Sequence, residues 1–159
     1  MTMSSSNTFV GTISRLRPTP ILTEVVIAVG GLGELVALIT SESCERLDLA
    51  EGETVTALVK ATEVFFARGG QGASLRTHNC LPGRVVRLEL VSATVEIQGE
   101  LDDGTPVSAI GAADSLESLG LAQGDRVWFF FKAMSLIVSA EKRIDERAFA
   151  AAGQGFGEP

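Results

Sequence analysis

The residues with most chemical potential in this chain are two lysines in unusual company. Residues 57–69 read ALVKATEVFFARG and residues 129–141 read FFFKAMSLIVSAE. Each run is apolar and strand-like, and each carries one lysine, Lys60 or Lys132, followed by an alanine, Ala61 or Ala133. A lysine at a strand end ordinarily lays its stem on apolar surface and puts its ammonium in water. Repetition of the Lys-Ala pair adds a second reading, in which the small residue lets a ligand or another backbone come close. Hydroxyl groups supply the complementary chemistry. ITSES (39–43) places Thr40, Ser41 and Ser43 at the start of a short helix, where they can cap it or donate to an anion. SSSN (4–7) and RTHN (76–79) are two further polar clusters. One compact cation with several hydroxyl and amide donors, and few carboxylates, suits a small tetrahedral oxyanion.

Catalysis fits less well. The single histidine, His78, has no nucleophile and base aligned with it in sequence, neither Cys44 nor Cys80 has a convincing base, and no G-x-x-x-x-G-K-[ST] phosphate loop occurs. With one histidine and two cysteines outside any C-x-x-C pattern, the chain is poor in soft ligands for a cation. It is therefore read as a non-enzyme without a cofactor. The formal charge of -7 and the absence of a basic cluster argue against a nucleic-acid partner. No apolar run is long enough to span a bilayer, and MTMSSSNTF lacks the features of a signal peptide, so a cytoplasmic location is expected.

The elements that must position these groups come in duplicate. A shift of 72 positions lays Asn7 on Asn79, Gly11 on Gly83, Arg15-Leu16 on Arg87-Leu88 and Ser43 on Ser115. It also lays LDLAEG (47–52) on LGLAQG (119–124) and Lys60-Ala61 on Lys132-Ala133, with no gap. The expected organisation is a first module over 4–67, a Gly-rich linker over 68–75, a second module over 76–140 and a tail over 141–159, part helical or disordered. In the first module FVGTISRLR (9–17), LTEVVIAV (22–29) and ELVALI (34–39) read as strands, SESCERLDL (41–49) as a helix, and 53–60 and 62–67 as two more strands. The second module repeats this, with a helix over ADSLESLGL (113–121) and strands over 125–132 and 134–140; Asp114 and Glu117 have capping-box spacing. The predicted fold is mainly β: two tandem OB-like five-stranded antiparallel barrels, each with one short helix. VWFFF (127–131) is apolar on both faces, so one face requires cover from a second module or subunit, which argues for an oligomer.

I-T-x-x-S, L-x-L-x-x-G and V-K-A-T-x-V, in that order over residues 39–64, resemble the molbindin family of Mop or TOBE domains, and the duplicated layout resembles its tandem di-Mop members. The resemblance implies cytoplasmic proteins that bind molybdate or tungstate as an oxyanion between modules, with tandem forms assembling as homotrimers. One module would supply a Ser-Ala-Arg-Asn stretch and the Lys-Ala pair, a neighbour its Thr-x-x-Ser. By position this implicates Lys60, Ala61, Ser4, Ser6, Asn7 and Ser115 in one class of site. Lys132, Ala133, Thr77, His78, Asn79, Thr40, Ser43 and the adjoining Cys44 fall in the other. Ser6 and His78 occupy the family's arginine position, and Ala112 stands where Thr40 would repeat, so the two classes are expected to be unequal. Histidine at that position implies that affinity falls as pH rises from about 6 to about 8. The implied role is storage, buffering or homeostasis of the oxyanion. The alternative is an assembly or regulatory module that kept the barrel and lost the ligand, and an oligonucleotide-binding barrel is a third reading disfavoured by charge and the lack of tyrosine.

Overall fold

A computed structural model describes residues 6–68 and 78–140. In the first repeat, strands β1 (Ser6–Pro18), β2 (Leu22–Val29) and β3 (Gly33–Thr40) lead into helix α1 (Ser41–Leu47), then β4 (Thr54–Lys60) and the short β5 (Phe65–Ala67). The second repeat gives β6 (His78–Val91), β7 (Thr94–Leu101), β8 (Pro106–Ala112), α2 (Ala113–Leu119), β9 (Arg126–Lys132) and β10 (Ile137–Ala140). The duplicated architecture agrees with the expectation, including its two five-stranded antiparallel sheets and one helix per repeat. The expected tail helix lies outside the described residues, as do Ser4, Thr77 and most of the linker.

The strands are shared between repeats in a way the linear reading does not anticipate. The sheet orders are β10-β4-β1-β2-β3 and β5-β9-β6-β7-β8. β5 leaves its own repeat and pairs antiparallel with β9, Phe65 opposite Phe130, while β10 returns to pair with β4, Ile137 opposite Leu58. Each sheet therefore draws four strands from one repeat and the fifth from the other. Its edge strands then approach each other, β10 towards β3 and β5 towards β8. The residues after each lysine form a 3₁₀ turn, Ala61–Glu63 or Ala133–Ser135, so the fifth strands are shorter than the expected 62–67 and 134–140.

One apolar core runs through both units. Phe9 and Phe131, from different repeats, stack with ring centroids 6.1 Å apart, and both are buried. Along β9, Val127, Phe129 and Phe131 are buried while Trp128 and Phe130 are half-covered. Phe65 on the incoming β5 lies 5.6 Å from Phe130, so part of the second face of VWFFF is covered by the exchanged strand. The glycine kept at Gly11 and Gly83 has a steric cause. A Cβ at either position would run into a backbone carbonyl of the neighbouring strand, that of Ala28 or Glu100.

The two helices end alike and begin differently. Asp48 and Gly120, equivalent in the repeat, both adopt the left-handed conformation that closes the helix after seven residues, short of the expected 41–49 and 113–121. Thr40 caps α1, its side chain accepting from the Ser43 amide. The expected capping box at Asp114 and Glu117 does not form. Helix α2 begins at Ala113, its N-cap is Ala112 with no side-chain hydrogen bond, and Asp114 already lies inside the first turn.

Candidate functional site

Lys60 and Lys132 are the last residues of β4 and β9 and occupy matching positions. Both are exposed, both are extended at ψ 145°, and both lead into the 3₁₀ turn that carries the chain across to the other sheet. Neither ammonium has a carboxylate partner among the described residues, where all five salt bridges use arginine. Across the ladder, Ser6 stands opposite Lys60 and His78 opposite Lys132. The alanines explain themselves by packing. Ala61 and Ala133 are fully buried, the turn 61–63 lies against β8, and the turn 133–135 lies against β3. What approaches the backbone closely at each Lys-Ala pair is the other repeat.

That packing brings the end of β9 to the start of α1. A groove is lined by Thr40, Ser43 and Arg46 on one side and by Met134, Leu136 and Ile137 on the other. Within it the Thr40 hydroxyl accepts the Ser43 N–H at 3.1 Å and donates to Ser43 Oγ at 2.8 Å. Arg46 Nη2 donates to the same oxygen at 3.2 Å. Ser43 Oγ thus accepts twice, which leaves its own proton for a further acceptor. Ser41, by contrast, is tied inwards to the Thr19 carbonyl at 2.6 Å and to the Thr23 hydroxyl at 2.9 Å.

The equivalent region of the second repeat is chemically different. The turn after Lys60 lies against β8, which ends at Ala112, but Ala112 and Ala113 replace Thr40 and Ser41, and Ser118 replaces Arg46. Ser115 is half-buried, and the surface beside it is lined by Asp114, Glu117 and Ser118.

Asn7 and Asn79 are employed in holding the repeats together. Asn7 Oδ1 accepts from the Ser108 amide at 2.7 Å, and its Nδ2 donates to the Ser108 carbonyl at 2.9 Å. Asn79 makes the same pair of bonds with Val36, at 2.7 and 2.9 Å. Ser108 and Val36 are repeat equivalents on β8 and β3, the edge strands, so each side-chain amide stands in for a missing neighbouring strand. Cys44 turns towards the core rather than the groove. It packs against the apolar cluster, and burial pushes its thiol above the ordinary range, partly offset by a hydrogen bond with Thr23. Of the expected site residues, the structure thus brings Ala133 and its neighbours beside Thr40 and Ser43, places Lys60 and Lys132 at the crossovers, and commits the Asn7 and Asn79 amides elsewhere.

Arg46 is the residue the linear reading passed over. Its repeat counterpart is a serine, so a comparison of repeats discards it; only its i+3 spacing from Ser43 on a helix would have raised it. No cluster of three or more His, Cys, Asp or Glu side chains suited to a metal ion occurs among the described residues.

Comparison with known proteins agrees with this architecture. The TOBE domain profile matches twice, over residues 3–66 and 76–138. The molybdenum transport protein ModE of Azotobacter vinelandii is 34% identical over 139 residues, which is 87% of this chain and 51% of that protein. The molybdenum-pterin-binding protein MopA of Rhodobacter capsulatus is 32% identical over 139 residues, 87% of this chain and 52% of MopA. The chain thus spans about half the length of the curated relatives it matches. A crystal structure of the cytoplasmic molybdate-binding protein ModG with molybdate bound superposes with a TM-score of 0.81 at 33% identity, covering 88% of this chain and 99% of ModG. Two TOBE domains in tandem, on a fold that superposes with ModG, make this chain a member of the TOBE (Mop) domain family.

Proposed function

We propose that the protein binds molybdate or tungstate as an intact oxyanion, without catalysis, and serves to store or buffer it in the cytoplasm. The observation that carries this reading is the groove where the crossover after Lys132 meets Thr40, Ser43 and Arg46 of the other repeat. It offers hydroxyl and guanidinium donors, with Lys132 at the strand end two residues before Met134, in a chain of net charge -7, an arrangement suited to a small dianion. The relatives named for molybdenum or molybdate, and the full-length match to ModG, point to the same ligand. Exposed Met134 and Ile137 favour assembly with further copies, and a homotrimer is the proposed form.

A second reading has its own support. The Escherichia coli relative, 30% identical over 137 residues, is a DNA-binding transcriptional regulator, and this chain corresponds to 51% of it. At α2, alanine and serine stand where Thr40 and Arg46 supply donors in the first repeat, which weakens the second class of site. A ligand-free assembly or regulatory module is therefore the competing role, although the acidic chain itself is a poor partner for nucleic acid.

Calorimetric titration of anion-free protein with molybdate, tungstate, sulfate and phosphate separates the readings. Binding of the first two in preference to phosphate is expected. The loss of a charge-assisted contact is worth about tenfold or more in affinity, so Lys132→Ala should remove the tight phase while Lys60→Ala leaves it largely intact. Equal losses in both variants would reject the inequality of the sites, and no heat with any oxyanion would favour the competing role.

A further inference from the structure

We infer that Arg46 is a charge-selecting residue of the groove between α1 and the crossover that follows Lys132, favouring a doubly charged tetrahedral anion over a singly charged one of the same shape. This deepens the oxyanion reading and rests on it. Five described arginines, Arg17, Arg68, Arg84, Arg87 and Arg126, are each engaged by a carboxylate. Arg46 and Arg15 are not; of these two only Arg46 lines a groove, and it stays unpaired although Glu42 and Glu45 lie on the same helix. Its recorded bond is the donation to Ser43 Oγ at 3.2 Å, which uses one of the five guanidinium N–H groups. The others are available over a groove whose far wall is apolar, with Met134, Leu136 and Ile137. A cation left without an internal partner, pinned by the hydroxyl that lines the same groove, is oriented for an external anion. The low polarity of the facing wall strengthens that attraction relative to open water.

The second repeat supplies an internal comparison. With Ser118 in place of Arg46, α2 offers no cation at that position, while its acidic residues Asp114 and Glu117 have counterparts in Glu42 and Glu45 of α1. Arg46 against Ser118 is therefore the one difference in charge between two helices of the same length.

The test pairs molybdate, a tetrahedral dianion, with perrhenate, a tetrahedral monoanion of similar size. Each is titrated into wild type, Arg46→Gln, Arg46→Lys and Ser118→Arg, with thermal unfolding as a check that each variant is folded; positions 46 and 118 are both exposed. Arg46→Gln should weaken molybdate by about tenfold or more while changing perrhenate by much less, since a monoanion gains less from the second cation. Arg46→Lys should recover part of the loss, and Ser118→Arg should strengthen the weaker class of site. Equal losses for both anions would mean that Arg46 only shapes the groove, and would overturn the inference. So would an unchanged molybdate affinity in Arg46→Gln. If wild type binds neither anion, the oxyanion reading itself falls and takes this inference with it; the wild-type titration alone identifies that case.

Discussion

Replacing Asn7 by alanine should cost more stability than replacing Asn79, although both clamp an edge strand by the same pair of bonds; Asn7 Nδ2 also donates to the Val59 carbonyl at 3.3 Å. Asn7→Ala strands the Ser108 N–H and C=O, which its amide holds at 2.7 and 2.9 Å, in a place where Asn7 and Ser108 are each only 5% exposed. A buried polar group left without a partner costs about 1–3 kcal/mol, so two such groups amount to about 2–5 kcal/mol once some relaxation is allowed. Asn79→Ala strands the same groups of Val36, but Val36 is half-exposed and water can replace the lost amide. The cost then falls towards that of two ordinary net hydrogen bonds, about 1–3 kcal/mol. Urea unfolding at one fixed protein concentration measures both, the fixed concentration being needed if copies associate. Asn7→Asp sharpens the test. Its carboxylate still accepts from the Ser108 amide but turns a second acceptor towards the Ser108 carbonyl. Burial raises the pKa of such a carboxyl, and its protonated form regains the donor. The variant should therefore be weakest at neutral pH and should recover relative to wild type as pH falls below about 6. Equal costs for the two alanine variants, or an Asn7→Asp defect independent of pH, would show that burial does not set the strength of this clamp.

Ending the chain after Leu136 removes β10 from the edge of β4, so hydrogen exchange should accelerate at Val55–Leu58 in the first repeat rather than only near the cut; acceleration confined to the second repeat would contradict the exchanged strand. Gly83→Ala should destabilise by about 1–3 kcal/mol, because its Cβ meets the Glu100 carbonyl and the strands must part; a melting temperature equal to wild type would refute the close approach. Burial holds the Cys44 and Cys80 thiols above their ordinary pKa, so at pH 8 both should alkylate more slowly than a free cysteine. The same shift has a stability sign. The unfolded thiols ionise first as pH rises beyond about 8.5, so the unfolded state gains there and stability declines with rising pH, a trend that Cys44→Ala with Cys80→Ala should reduce.

The duplicated fold was legible because local signals agreed with one another. β-branched alternation, turn glycines and an ungapped repeat all demanded the same elements, and strands and helices appear within a few residues of their expected ends. The exchange of β5 and β10 was not legible, since a fifth strand pairs by the same hydrophobic pattern with its own sheet or with its neighbour's. What decides between them is the turn after the lysine, and Ala61–Glu63 has no residue that announces a crossover. Side-chain roles were legible only in part for a similar reason. Asn7 and Asn79 were grouped with the polar clusters around them, yet their amides satisfy edge-strand backbone, a partner fixed by tertiary contact and invisible to spacing. Cys44 was grouped with Ser43 by adjacency, whereas a helix turns successive side chains by about 100°, which here sends one to the groove and the next to the core.

The exchange also accounts for why the lysines and alanines are repeated as pairs. Lys60 and Lys132 are the final rungs of β4 and β9, the last positions before the chain abandons its own sheet. The next residue must pass beneath the other repeat's β8 or β3, and with alanine there at 0–1% exposure no larger side chain fits without moving that strand. Conservation of alanine between the repeats therefore follows from assembly alone and does not require a ligand. The lysine is different. It is exposed and has no carboxylate partner among the described residues, so packing sets no demand for a cation at that point. A neutral polar residue would satisfy the fold equally well. It follows that Lys132→Gln should leave unfolding within about 0.5 kcal/mol of wild type while weakening oxyanion binding, whereas Ala133→Val should damage both. A lysine variant that lost stability and binding together would place Lys132 with Ala133 as a structural residue, and would remove the main reason for reading the pair as half of a site.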